Sequence, residues 1–148
     1  APDLPWMPVL QGWTMEDYER CAGLYAKSGV DLSAEPIVGL GSVCRRQGTR
    51  ETEAIVRRLA GRGLRLHGFG VKVSGLVRYA DVMSSADSMA WSFRARKMCQ
   101  HRPKEAFALQ KKLGCKHKPG SGCQNCLRFA LWWREQLLVR LAAAQALP

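Results

Sequence analysis

Short apolar runs that stop at a glycine or a polar residue, each followed by a helical segment, recur four times before residue 90 and constrain the fold more than any other feature of the chain. The first, Trp6-Met-Pro-Val-Leu10, stops at Gln11-Gly12, and the second, Pro36-Ile-Val-Gly-Leu40, at Gly41-Ser42. The third is Leu64-Arg-Leu-His-Gly-Phe-Gly70, and the fourth, Val82-Met-Ser-Ser-Ala86, stops at Asp87. Runs of that length bounded by turn residues predict short buried strands. Thr14 and Asp17 have the spacing of a capping box, and Met15, Tyr18, Cys21, Ala22 and Tyr25 recur at three and four residues, so a helix is expected from Thr14 until Gly29 closes it. A second helix is expected over about Thr49 to Ala60, ended by Gly61 and Gly63, and a short helical turn over Ser74 to Ala80.

Strands alternating with helices pair in parallel through crossovers, so the expected class is α/β. Four such units are half of an eight-unit TIM (β/α) barrel, which usually takes about 250 residues; a small flavodoxin-like open sheet is the alternative. Glycine and polar residues at the C-terminal strand ends favour the half barrel, because barrel enzymes build their sites there. Residues 1–96 are then a partial barrel of four strand-helix units. Residues 97–124, rich in Lys, Pro, Gly and Cys with one short helix around Glu105 to Lys112, are a zinc-binding insertion. Residues 125–148 are a final packing helix, with Leu127, Leu131, Leu138 and Leu141 on its apolar side. No run approaches the roughly 20 apolar residues of a membrane helix, so a soluble protein with no membrane partner is expected. The start, Ala-Pro-Asp-Leu-Pro-Trp, resembles neither a signal peptide nor a natural N-terminus and predicts a fragment.

Of the six cysteines, three crowd with a histidine into Cys115-x-His117-x5-Cys123-x2-Cys126. Three thiolates and one imidazole fill a tetrahedron and leave no position for water, which predicts a structural zinc ion. The rival readings are a disulfide with a bystander histidine, or a site that borrows Cys99 and His101. Cys21 and Cys44 read as small, reduced core residues of an intracellular, cytoplasmic protein. Charge is segregated: residues 1–40 hold six acids and two bases, whereas residues 91–148 hold twelve bases and two acids. A polyanion such as nucleic acid is the natural partner for the second stretch, with Lys116 and Lys118 placed to face a phosphate; a solvated basic surface is the plain alternative.

Asp87, at the end of the fourth strand, either caps the helix that begins near Met89 or acts as a nucleophile at an anomeric carbon. Gln11 and Gly12, and Gly39, Leu40 and Gly41, either make ordinary turns or let a flat ligand approach the backbone while the Gln amide reads a purine edge. His67, inside a strand run before Gly68, reads as a satisfied core histidine. Trp132 and Trp133 read as packing or snorkelling residues of the last helix.

In this order, Gln11-Gly12, Gly39-Leu40-Gly41, His67-Gly68-Phe69-Gly70, Asp87 and the Cys/His lobe, the chain resembles the C-terminal half of the tRNA-guanine transglycosylase (queuine tRNA-ribosyltransferase-like) superfamily. Two strings, Ala86 to Ser92 and Gly-Cys…His…Cys-x-x-Cys-Leu…Ala-Leu…Trp-Arg from Gly114 to Arg134, are similar to its deazapurine DNA-modification branch. The resemblance implies that Asp87 is a nucleophile forming a covalent glycosyl intermediate while guanine leaves and a 7-deazaguanine enters. It implies that Gln11, Gly12, Gly39, Leu40, Gly41, His67 and Gly68 surround the base, and that DNA or tRNA is the partner. The chain departs from the tRNA enzymes in carrying Cys44-Arg45-Arg46 where they have an acidic residue, and in placing His117 inside the cysteine cluster. It also lacks the earlier strands that hold the family's other aspartate, so the fragment alone is expected to be inactive. A non-catalytic zinc-containing nucleic-acid-binding module and a phosphate-binding barrel fragment relying on Lys72 are the competing readings.

Overall fold

The computed structural model describes residues 4–117 and 122–146. Among them are a four-stranded parallel sheet and six α-helices, in a mixed α/β arrangement. The chain forms two compact units, divided between Ser88 and Met89.

The first unit holds β1 (Val9–Leu10), α1 (Met15–Lys27), β2 (Val38–Leu40), α2 (Arg50–Ala60), β3 (Leu66–Gly68), α3 (Val73–Tyr79), a 3-10 turn over Ala80–Val82, and β4 (Ser85–Ala86). Strand order equals chain order, and all three pairings are parallel. The strands are shorter than the apolar runs, for local reasons. Pro5 and Pro8 have no N–H for a ladder, and Trp6 lies in solvent at 73% exposure. Val82 is drawn into the 3-10 turn, and Gly70, at φ 63°, ends the third strand.

The helices begin where the sequence predicts. Thr14 caps α1 in a capping box, with Thr14 Oγ1 accepting from the Asp17 amide at 3.3 Å and Asp17 Oδ2 accepting from the Thr14 amide at 2.9 Å. Thr49 caps α2. One sheet face presents Leu10, Val38, Leu40 and Leu66, all buried, to Tyr18, Ile55, Val56, Leu59 and Tyr79 of the helices. Burying side chains of this size contributes about 1.5–3 kcal/mol each before the entropy of ordering them. Cys44 does not join this core: it is exposed, because the turn after β2 sends Val43 inward and Cys44 outward.

The second unit holds α4 (Ala90–His101), α5 (Pro103–Lys112) and α6 (Leu127–Gln145), with α4 lying against both others. Helix α4 runs unbroken through residue 97. The apolar side of α6 differs from expectation. Phe129 and Trp133 are buried, whereas Leu127, Leu131 and Leu138 are exposed, Leu127 at 71%. The aromatic pair fills more space per side chain, and Phe129 meets Trp132 at 5.3 Å between ring centroids. Among the described residues no helix is long and apolar enough to cross a membrane.

Candidate active site and metal centre

Strand register assembles the first site. Leu10, Leu40, Gly68 and Ala86 stand side by side across the sheet, and Gly39, His67 and Ser85 occupy the row before them. Side chains alternate along a strand, so Gly39, His67 and Ser85, with Gln11, Gly41, Phe69 and Asp87 two positions further on, share the face opposite the core. The glycines are the floor of this face. A Cβ on Gly41 would come within 2.3 Å of Gln11 Oε1, and one on Gly39 within 2.7 Å of the Phe69 ring.

Above that floor the polar groups are interlinked. Ser42 Oγ donates to Gln11 Oε1 at 2.8 Å. Ser42 has a φ of 63°, the sole described non-glycine residue in the left-handed region, a conformation that costs roughly 1–2 kcal/mol and clusters at functional sites. The Gly70 amide donates to Asp87 Oδ1 at 2.6 Å. His67 bonds Ser85 Oγ through Nδ1 at 2.8 Å, places Nε2 3.5 Å from Asp87 Oδ2, and meets the Phe69 ring edge-on at 4.9 Å. Asp87 is 58% exposed while His67 is 18% exposed. Helix α4 takes Met89 as its N-cap residue, not Asp87. A carboxylate with one oxygen held by a backbone amide and the other beside an imidazole is positioned for nucleophilic or acid–base work.

Not every residue expected here lies on this face. Leu40 and Gly68 turn toward the buried side, where a Cβ on Gly68 would meet Met83 and Val71 at 2.5 and 2.6 Å. Gly12 is a packing glycine: a Cβ there would lie 2.8 Å from the Tyr18 amide nitrogen. Ser42, Phe69 and Gly70 stand in the strand-end motifs read from sequence but were not expected as site residues, and Ser85 was not expected at all. Period-two alternation from His67 and Asp87 is the signal that finds Phe69 and Ser85.

The second site lies in the unit that begins at Met89. Cys115, His117, Cys123 and Cys126 bring their ligand atoms within 4.8 Å of one another. Cys115 Sγ is 3.8 Å from Cys123 Sγ and 3.5 Å from Cys126 Sγ, and His117 Nε2 is 3.1 Å from Cys123 Sγ. A zinc ion with Zn–S bonds of about 2.3 Å needs sulfurs about 3.8 Å apart, so these donors fit it. Cys99 and His101 are not in the cluster. The loop is shaped by the end of α5: Gly114, at φ 63°, lets the Cys115 amide reach the Gln110 carbonyl at 3.0 Å, a Schellman ending. Arg128 at the start of α6 donates to the Leu113 carbonyl at 3.1 Å. Burial pushes the Cys123 thiol up to about 12, and burial with the neighbouring Cys126 thiol raises Cys115. Burial also works against the Cys126 thiolate, but the Phe129 and Arg128 amides of the α6 N-terminus and the adjacent thiols bring its pKa below the ordinary value. Lys116 is exposed beside the cluster, and Lys118 lies outside the described residues.

The two units differ sharply in charge neutralisation. Residues 1–88 carry eleven bases and ten acids, and ion pairs such as Arg57–Asp81 at 2.8 Å and Arg62–Glu19 at 2.6 Å compensate many of them. Residues 89–148 carry twelve bases and two acids, and Arg102–Glu105 at 3.4 Å is the sole ion pair there among the described residues. Arg94, Lys97, His101 and Arg102 line an open cleft floored by Met98.

No curated protein and no solved structure matches the chain. One family model does, over residues 1–147, and the match spans both the Asp87 face and the cysteine cluster. The chain belongs to the DpdA family, DeoxyPurine in DNA protein A.

Proposed function

We propose that this chain is the nucleophile-bearing part of a transglycosylase, a pentosyltransferase that replaces guanine in DNA with a 7-deazaguanine through a covalent Asp87–deoxyribosyl intermediate. The single observation that carries the reading is that Asp87 shares one sheet face with Gln11, Gly39, Gly41 and His67, with Oδ1 held by the Gly70 amide and Oδ2 beside His67. Oδ2 attacks C1′ as the C1′–N9 bond breaks. The bonding pair leaves on guanine, which takes up a proton. N9 of the incoming 7-deazaguanine then gives up its proton and attacks C1′, the Asp87–C1′ bond breaks, and the carboxylate is regenerated; two inversions retain configuration. Gln11 and the Gly39–Gly41 backbone hold the base edge, while Gly12, Leu40 and Gly68 shape the floor from behind.

In this reading the parallel sheet is half of a (β/α)8 barrel related to the tRNA-guanine transglycosylases. Residues 97–124 are its zinc-binding insertion, and 125–148 its last packing helix. The cluster of Cys115, His117, Cys123 and Cys126 would hold zinc for structure. The family's description favours DNA over tRNA, and the target nucleotide has to leave its stack to reach Asp87.

The test is exchange of labelled guanine or 7-deazaguanine into DNA by the protein as encoded. Asp87→Asn is expected to abolish exchange and the trapped covalent adduct; wild-type exchange by that variant overturns the nucleophile assignment. The basic, separately compact unit from Met89 favours one rival, a zinc-containing nucleic-acid-binding module. It predicts DNA binding with no exchange by the wild-type protein.

A further inference from the structure

Trp13 follows Gln11-Gly12 at the C-terminal end of β1 and is 55% exposed. Beneath it, 4.5 Å from the ring centroid, sits the guanidinium of Arg46. The Arg46 side chain is only 9% exposed, and the two groups that face its guanidinium are the Glu51 carboxylate and the buried Tyr18 hydroxyl. Among the described residues its ion-pair partner is Glu51, whose Oε2 is 3.1 Å from Nη1 and whose side chain is mostly in solvent. A guanidinium carries five N–H donors, and burying it with so few acceptors is costly.

The surroundings fix both residues. The Arg46 carbonyl accepts from the Thr49 amide at 2.9 Å and from Thr52 Oγ1 at 3.1 Å, and the Arg46 amide donates to Val43 at 3.1 Å. The Trp13 amide donates to Asp17 Oδ2 at 3.1 Å. The Tyr18 hydroxyl, whose pKa burial raises against the opposing charge of Arg46, donates to the Gly41 carbonyl at 2.7 Å and so ties this pair to the glycine floor. One face of the indole is covered by the cation, and the exposed ring stands two residues beyond Gln11 at the C-terminal end of β1, the same end of the sheet at which Asp87 follows β4.

We propose that Trp13, held from below by Arg46, is a stacking platform for a nucleobase of the DNA strand next to the nucleotide presented to Asp87. The proposal rests on the DNA-base reading above. Stacking on an aromatic side chain is how proteins hold single-stranded or extruded nucleotides without reading sequence, and it is worth a factor of about 5 to 150 in affinity per base. A fixed indole gives more of this than a mobile one, because less freedom is lost on binding. The cost of the buried cation is thereby assigned to fixing the ring rather than to folding.

The test uses single-stranded oligonucleotides carrying one guanine, with an abasic residue placed in turn at each position, so that phosphate charge stays constant. For the wild-type protein as encoded, one abasic position adjacent to the guanine is expected to weaken binding about tenfold. Trp13→Ala should lose the same factor with the intact strand and become indifferent to that abasic position, whereas Trp13→Phe should retain part of the preference. Arg46→Met should show a reduced preference while melting at or above the wild-type temperature. If no neighbouring abasic position weakens wild-type binding, or if Trp13→Ala binds as wild type, the platform is refuted. A lower melting temperature for Arg46→Met, with the abasic preference intact, assigns Arg46 to folding and refutes its supporting role. If instead the abasic substitution at the guanine itself is harmless while the neighbour effect persists, the base-exchange reading fails and the platform stands. If the wild-type protein binds none of the oligonucleotides, both fall.

Discussion

His67 Nε2 lies 3.5 Å from Asp87 Oδ2, on two neighbouring parallel strands whose register sets Ser85 opposite His67. Ser85 Oγ holds the other ring nitrogen at 2.8 Å, so the imidazole is oriented toward the carboxylate by a group two residues before it. His67→Gln removes the ring while keeping a polar side chain. It is expected to lower the rate of base exchange at least tenfold while changing DNA affinity less than twofold, checked by single-turnover kinetics beside equilibrium binding. An equal loss in both would mean that His67 holds the substrate and does not assist Asp87.

Gly41→Ala and Gly39→Ala probe the glycine floor. The added methyl would fall 2.3 Å from Gln11 Oε1 in one case and 2.7 Å from Phe69 in the other. Gln11 is an exposed, flexible side chain and Phe69 a half-buried ring. Gly41→Ala should therefore leave the melting temperature nearly unchanged and weaken base exchange. Gly39→Ala should destabilise the protein by about 1–3 kcal/mol in urea unfolding.

Zinc binding should depend steeply on pH. Cys123 is pushed up to about 12 and Cys115 is raised, so without metal both thiols are protonated at neutral pH, and a bound zinc ion has to displace those protons. Affinity is expected to fall as pH drops from 8 to 6, with about two to three protons released per zinc at pH 7, measured by chelator competition and by calorimetry in buffers of different ionisation heat. Cys123→Ser should lose the metal; full zinc content in that variant would remove Cys123 from the ligand set.

Asp17 titrates below the ordinary carboxylate range, chiefly because the Thr14 and Trp13 amides donate to it. A depressed folded-state pKa contributes stability above the unfolded value that is lost as pH falls through the folded one. Thermal unfolding from pH 6 down to 2 should therefore show a smaller decline for Asp17→Asn than for the wild type; parallel curves would show that the cap adds nothing.

The cleft along α4 gives a salt-dependence prediction. Arg94 and Lys97 lie one turn apart on one helix face, and neither has a carboxylate partner among the described residues. Replacing both with Gln should reduce the slope of log affinity against log salt by about 1–2 for any DNA sequence, as loss of phosphate contacts does. An unchanged slope would detach this surface from DNA.

Much of the first unit was legible because backbone chemistry dictated it. The Thr14–Asp17 box and the Thr49 cap fix helix starts through hydrogen bonds between near neighbours, and glycines after apolar runs fix strand ends. The cysteine cluster was legible for the same reason, its ligands being close in sequence. Ser42 was not, since a left-handed serine carries no composition signal and its bond to Gln11 spans 31 residues. The apolar side of α6 is not legible from its leucines, because Phe129 and Trp133, at i and i+4, make a competing stripe of larger area.

Strand order that repeats chain order has a consequence for how such a sheet assembles. Each strand finds its partner in the unit synthesised just before it, so the widest gap to be closed is one crossover of about thirty residues rather than the length of the chain. Pairing can advance in one direction during translation, each finished strand serving as the template edge for the next. Insertions between units would then delay assembly by little, whereas a change that blunts one strand edge would halt every strand after it.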